Sequence, residues 1–420
     1  FLNVWTGAAS TSDKRPVMVW VHGGGFVFGS GAKVDGGNLA KKGVVVVSLN
    51  YRLGAFGFLA HPALTQESAS HSSGAYGFMD MQAGLTWVQR NIARFGGDPA
   101  NVTIFGESAG SHAISMLMTS PLSKGLFQKA IGESGAFWES EHPGLPRKLQ
   151  DAEQMGIAIG NGLNATTPAQ LRGVSALSLQ TATDWNTFNT DPGYTVPGPL
   201  IDGVVLPKQT YDAYAAGEQM NIPTLIGWNE DENRIFTGRS LAKSSARAFK
   251  DAAAAKFGQG RLANFLAAYP ASTDAQAVVS ANKLIGDEVI SYPTWAWAVA
   301  HQRTGKSKVF VYRFNPSSTY LPVANHSDEI NWVFDTLPTN VANVAPSVAD
   351  IALSQQMATY WTNFAKNGDP NGTGLPVWPT YAGPGSNIMF LGNHTAMAPA
   401  AGTEIDTAGY VFLNGWLGRN

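Results

Sequence analysis

The chain has 420 residues, 14% of them charged, with a formal net charge of −2. That balance supplies no basic face for nucleic acid or an anionic membrane surface, so neither partner is expected. Cysteine is absent, which removes thiol catalysis, disulfides and thiolate metal sites. The longest apolar runs are of strand length, so no membrane-spanning helix is predicted.

In chain order, residues 1–5 read as a strand with no lead-in. Residues 16–21 and 43–49 are apolar, β-branched strands. Residues 78–95 read as a helix with Met81, Leu85, Val88 and Ile92 on one stripe. Residues 102–105 and 129–134 are further strands. Near-continuous apolar strands alternating with helices predict a mostly parallel sheet covered on both faces. From about 145 to 220 the pattern weakens, with a helical piece at 147–160. Residues 222–228 return to strand, 241–268 form an Ala-rich helix, and 309–314 form a strand. The helix at 351–366 stops at Asn367-Gly368, a C-cap signal. The expected organisation is one α/β domain over 1–420, with helical lid insertions at about 145–220 and 235–305.

The chemistry is concentrated at residues 101–110, Asn-Val-Thr-Ile-Phe-Gly-Glu-Ser-Ala-Gly. A short strand runs into Gly106-x-Ser108-x-Gly110 and then into a helix, which is the pattern of a nucleophile elbow. Glycines two residues on either side leave room for a serine in strained backbone. The helix N-terminus behind it favours developing negative charge. A serine hydroxyl is a weak nucleophile and needs a base, a group that orients the base, and donors for an oxyanion.

The donors are expected in His22-Gly-Gly-Gly-Phe26, directly after the strand at 16–21. There the backbone N–H groups of Gly24 and Gly25 join that of Ala109. The spacing fits neither a P-loop nor a dinucleotide fingerprint. Among eight histidines, His326 falls late in the chain, after the strand at 309–314, where the order Ser, acid, His requires the base. His112 lies one helical turn past Ser108 and is poorly placed to reach its hydroxyl. His22 is expected to shape the glycine loop. The acid should follow a strand between Ser108 and His326. Residues 230–232 do so, with Glu232 the first choice and Asp231 the second.

These motifs resemble the type-B carboxylesterases, the family of cholinesterases and of bacterial and fungal carboxylesterases. The matches run in register: 2–5, 19–26, 50–59, 76–80, 87–92, 95–99, 102–110, 133–135, 231–232, 326–330, 361–365, 368–371 and 377–381. Residues 145–220 match weakly. The resemblance implies the α/β-hydrolase fold, with Ser108 as nucleophile, Glu232 as orienting acid and His326 as base. It implies Gly24, Gly25 and Ala109 as the oxyanion hole, and Glu107 and Ser134 as polar support. It also implies Arg52 and Asp80 as an internal ion pair behind the elbow.

Three departures stand out. Asn233 and Ser327 occupy positions where the family usually has glycine. Relatives also carry many more residues, including a cysteine-bridged loop, before the strand at 1–5. An exported or periplasmic location is favoured if such a leading segment was removed.

The expected activity is hydrolysis of uncharged, largely apolar carboxylic esters through an acyl-enzyme, with no metal or cofactor. Phe26, Phe28, Phe137, Trp138, Tyr194 and Trp228 are candidates for an apolar pocket wall. An amidase, a thioesterase or a non-catalytic adhesion module on the same fold are the competing classes, and the intact Ser108, Glu232 and His326 argue against the last.

Overall fold

The structure is a computed structural model and describes residues 1–137, 147–183, 196–234, 240–242, 244–339, 341, 343–392 and 407–419. Its strands are β1 (Leu2–Trp5), β2 (Arg15–Val21), β3 (Val45–Leu49), β4 (Gly97–Glu107), β5 (Lys129–Glu133), β6 (Arg147–Lys148), β7 (Leu200–Ile201), β8 (Thr224–Asn229), β9 (Val309–Asn315) and β10 (Met389–Gly392). Eight of them form one sheet in the order β1-β3-β2-β4-β5-β8-β9-β10, and β6 pairs with β7 in a separate ribbon. Among the described residues, only β1 in the large sheet runs antiparallel to its neighbour.

Strand alternation builds two cores. On β2 and β3, Val17, Val19, Val21, Val45, Val47 and Leu49 face one side, packed with the helices Tyr76–Asn91, Ala109–Leu117 and Tyr292–Thr304. Met18, Trp20 and Val46 face the other, with Phe105, Phe310 and Tyr312 and the helix Val348–Asn367. Burying each such side chain contributes about 1.5–3 kcal/mol. Burial on both faces is why these strands read as unbroken apolar runs.

The helix expected at 78–95 is α-helical over Tyr76–Asn91 and tightens to 3₁₀ over Ile92–Phe95. Its predicted stripe, Met81, Leu85, Val88 and Ile92, is fully buried. The Ala-rich segment is two helices, Ala246–Phe257 and Leu262–Ala268, because Gly258 takes φ +88° and ends the first. Gly368, at φ +70°, closes Val348–Asn367 as its C-cap signal predicts. Residues 145–220 carry the helices Leu149–Gly162, Pro168–Gly173, Ala176–Ala182 and Thr210–Ala215. Among the described residues no helix is long and apolar enough to cross a membrane.

The topology has one functional consequence. β2, β4, β5, β8 and β9 are consecutive parallel neighbours, so their C-terminal ends share one edge of the sheet. The loops leaving those ends carry Gly24, Ser108, Ser134, Glu232 and His326. Segments 300 residues apart therefore meet where ligand crevices form in open α/β sheets.

Candidate active site

The elbow forms where β4 meets the helix Ala109–Leu117. Ser108 has φ 53° and ψ −123°, a conformation non-glycine residues avoid at a cost of about 1–3 kcal/mol. Its N–H donates to the Glu133 carbonyl at 2.8 Å, which ties the turn to β5. The flanking glycines are required by close approach to the end of β2. A Cβ on Gly106 would sit 2.5 Å from the Val21 carbonyl oxygen, and one on Gly110 only 2.1 Å from it. The sequence signature thus records how tightly strand, turn and helix are stacked on the neighbouring backbone.

The predicted partners converge here. Ser108 Oγ lies 2.8 Å from His326 Nε2, and His326 Nδ1 lies 2.6 Å from Glu232 Oε2. The other Glu232 oxygen accepts from the Asn229 N–H at 2.6 Å and from the Ser134 hydroxyl at 2.8 Å. Both carboxylate oxygens are therefore held by donors, and the side chain is buried. The turn bearing His326 is braced by Asp328, whose carboxylate accepts from the Asn325 N–H at 2.8 Å. Asn229 Nδ2 donates to the Asn325 carbonyl at 2.7 Å, joining the end of β8 to that turn.

The glycine loop lies directly against the elbow. A Cβ on Gly23 would meet the Glu107 carboxylate at 2.7 Å and the Ser108 Cβ at 3.0 Å. Gly24 and Gly25 have φ +106° and +61°. The Gly24 carbonyl accepts from Val27 and Phe28, folding the loop back on itself. Among the described residues the N–H groups of Gly24 and Gly25 donate to no backbone carbonyl outside the regular elements. Ala109 is the first helical residue, so its N–H has no acceptor within its own helix. His22 shapes this loop: its Nδ1 is 2.8 Å from the Gly23 carbonyl and its ring stacks on Tyr51 at 4.4 Å.

Two buried glutamates, Glu107 and Glu232, touch this imidazole, and two more buried glutamates, Glu133 and Glu329, act electrostatically on that pair. Sequence reading named Glu107 and Glu232 but gave no role to Glu133 or Glu329, although both lie within matched motifs. Glu329 accepts from the Ser134 hydroxyl at 3.1 Å and from Asn229 Nδ2. Glu133 accepts from Trp361 Nε1 at 2.8 Å. Burial pushes Glu133 up to about 8, and pushes Glu107 and Glu329 above the usual carboxylate range. Burial opposes charge on His326, but the Glu107 and Glu232 carboxylates outweigh it and raise the imidazole to about 9. His112 is driven the other way, down to about 4, by burial. Its Nδ1 faces the Ser108 carbonyl at 2.7 Å, so it braces the elbow from behind.

Other expectations are revised. Asp231 does not reach His326: its carboxylate accepts from the Asn233 N–H at 3.1 Å, and its backbone bridges Asn325. Ser327 takes φ +73°, a glycine-like conformation. The Arg52–Asp80 pair forms, with Nε–Oδ2 at 2.7 Å and Nη2–Oδ1 at 2.9 Å, but Arg52 is 52% exposed. It is a half-exposed clamp and not an internal pair. Phe26 packs among Phe58, Phe78 and Phe137, and Trp228 is buried against Tyr410, so these are core rings. Phe28 is 48% exposed. Trp138 and Tyr194 lie outside the described residues.

Residues 1–405 match the model of the Carboxylesterase family. The chain belongs to this family. It is 37% identical over 417 residues to fumonisin B1 esterase of Sphingopyxis macrogoltabida, covering 96% of this chain and 74% of that one. Carboxylesterase 1E of Mus musculus is 35% identical over 417 residues, covering 91% and 71%. Among solved structures, the carboxylesterase EST55 of Geobacillus stearothermophilus superposes with a TM-score of 0.79 at 31% identity, covering 95% of this chain and 82% of that one. A PNB esterase gives 0.77 at 31% identity, with the same coverage. These neighbours have the α/β-hydrolase fold, which the mostly parallel eight-stranded sheet of this carboxylesterase shares. Membership makes the protein a carboxylic-ester hydrolase, and small-molecule esters its substrates.

Proposed function

We propose that the enzyme hydrolyses uncharged, largely apolar carboxylic esters through an acyl-enzyme on Ser108. The observation that carries this reading is the unbroken chain of contacts from Ser108 Oγ through His326 to Glu232, at 2.8 and 2.6 Å. Ser108 Oγ attacks the ester carbonyl carbon while His326 Nε2 takes its proton. The carbonyl π electrons move to oxygen, where the N–H groups of Gly24, Gly25 and Ala109 receive the charge. Each such donor is worth about 2.7–4 kcal/mol in a well-studied protease. Collapse of this intermediate breaks the C–O bond, and His326 returns the proton to the leaving alcohol. Water then attacks the acyl carbon, His326 again accepts and donates the proton, and the acid leaves with Ser108 restored.

Glu232 fixes the imidazole by its Nδ1–H and stabilises its transient charge. Ser134 and the Asn229 N–H keep Glu232 aimed, and Glu107 stands beside the His326 Nε2 edge. The names of the relatives, fumonisin B1 esterase and human cocaine esterase, fit ester chemistry.

The test is a panel of p-nitrophenyl esters of rising acyl length beside a matched anilide and thioester. Short-to-medium esters should turn over and the anilide should not. Ser108→Ala should lower kcat by up to about 10⁶. Ester turnover in that variant matching the parent would reject the assignment.

A further inference from the structure

We propose that Ser327 is a positioning residue for this reaction: its hydroxyl holds the Glu107 carboxylate against the Nε2 edge of His326, and that contact governs when the imidazole is free to act as base. The inference rests on the assignment of His326 as that base.

Three contacts run in sequence. The Ser327 hydroxyl donates to Glu107 Oε1 at 2.5 Å. The same Oε1 lies 3.2 Å from His326 Nε2. That nitrogen in turn lies 2.8 Å from Ser108 Oγ. One imidazole nitrogen therefore faces two partners, the nucleophile and a buried carboxylate. When Nε2 carries a proton, Glu107 competes with Ser108 for it. The position of Glu107 decides how strongly the protonated form is favoured.

The backbone shows that this placement is not incidental. Ser327 sits at φ +73°, where glycine is unstrained and serine is not. A serine in left-handed backbone is the arrangement expected where the side chain is needed. The turn is fixed independently by Asp328 on Asn325, so the Ser327 hydroxyl does not hold the loop together. From the opposite side, Glu107 is confined by Gly23, whose Cα approaches so closely that a Cβ would lie 2.7 Å from Oε2.

The electrostatic surroundings agree in sign. Burial raises Glu107 against the influence of His326 and of the Ser327 hydrogen bond, both of which favour the carboxylate. Glu107 and Glu232 are the charges that raise His326. The other titratable groups facing this pair are Glu133 at the end of β5, Asp328 and Glu329 on the turn after His326, Tyr51 after β3, Tyr312 on β9 and His112 behind the elbow. None of these is touched by deleting the Ser327 hydroxyl. Its loss favours protonated, neutral Glu107. The imidazole then loses a neighbouring negative charge and gives up its proton at lower pH.

The experiment is the pH dependence of kcat/KM for a short p-nitrophenyl ester, from about pH 5 to 10, in the parent and in Ser327→Gly, Ser327→Ala and Glu107→Gln. Glycine suits the positive φ, so Ser327→Gly removes the hydroxyl without adding strain. The acid limb should move to lower pH in both Ser327 variants by roughly one unit, the lower end of what a neighbouring charge does. Glu107→Gln should move it the same way, and adding Ser327→Gly to Glu107→Gln should move it no further. A residue that merely supports the loop would lower kcat without moving the limb. An acid limb unchanged in both Ser327 variants, with Ser108→Ala inactive, overturns this inference alone. Ser108→Ala as active as the parent overturns both the inference and the assignment beneath it.

Discussion

Glu133 offers a stability test that involves no catalysis. Its carboxyl is fully buried at the end of β5, with Oε1 accepting from Trp361 Nε1 at 2.8 Å and Oε2 without a hydrogen-bond partner among the described residues. Burial raises it from the ordinary 4.5 to about 8, the Trp361 bond only partly offsetting that. Between those values the folded chain keeps a proton on Glu133 that the unfolded chain releases. Stability therefore falls as pH rises through this interval, at roughly 1.4 kcal/mol per pH unit. Summed over the whole interval, the parent loses of order 5 kcal/mol from this group. Glu133→Gln keeps the acceptor for Trp361 and a similar volume but has no proton to lose. The variant should match the parent to within about 1 kcal/mol at pH 5 and exceed it by several at pH 9. Urea unfolding at the two pH values measures the difference, and common effects of pH on the rest of the chain cancel in it. Parallel stability curves for parent and variant would refute the reasoning.

Other outcomes follow from single contacts. Ser134→Ala removes a donor to Glu232 and to Glu329, so kcat should fall roughly five- to thirtyfold, for about 1–2 kcal/mol, with KM little changed; unchanged kcat in steady-state assays would show Glu232 aimed without it. Gly110→Ala places a Cβ 2.1 Å from the Val21 carbonyl oxygen, so soluble folded protein should be lost or its melting temperature lowered sharply. Arg52→Ala breaks a half-exposed ion pair, so unfolding should shift by no more than about 1 kcal/mol, and less in high salt.

The site was more legible in the sequence than its surroundings, and for a physical reason. The requirements of the elbow and the glycine loop are local: Gly106 and Gly110 are set by Val21, and Gly24 and Gly25 by their positive φ. Such constraints leave short signatures. Chain order then sufficed to single out His326 as the candidate base, because it follows β9 late in the chain. Choosing Glu232 over Asp231 depended on which side chain turns inward, and adjacent acids look alike until the loop after β8 is seen to pair Asp231 with Asn325. The exposure of Arg52 is a property of the tertiary packing, which no local pattern encodes. Glu133 and Glu329 lie at a strand end and in a turn; only the convergence of the strand ends brings them near Glu107 and Glu232. β10 was missed because Met-Phe-Leu-Gly is too short for a period, while its pairing with β9 defines it. The break at Gly258 was missed because alanine-rich flanks on both sides favour one continuous helix.

The most direct test of the central claim is covalent. Inactivation with a p-nitrophenyl phosphonate ester, followed by peptide mapping by mass spectrometry, should give one adduct per chain, on Ser108, formed in step with loss of esterase activity. Labelling on any other residue, or full activity in a chain fully modified at Ser108, would contradict it.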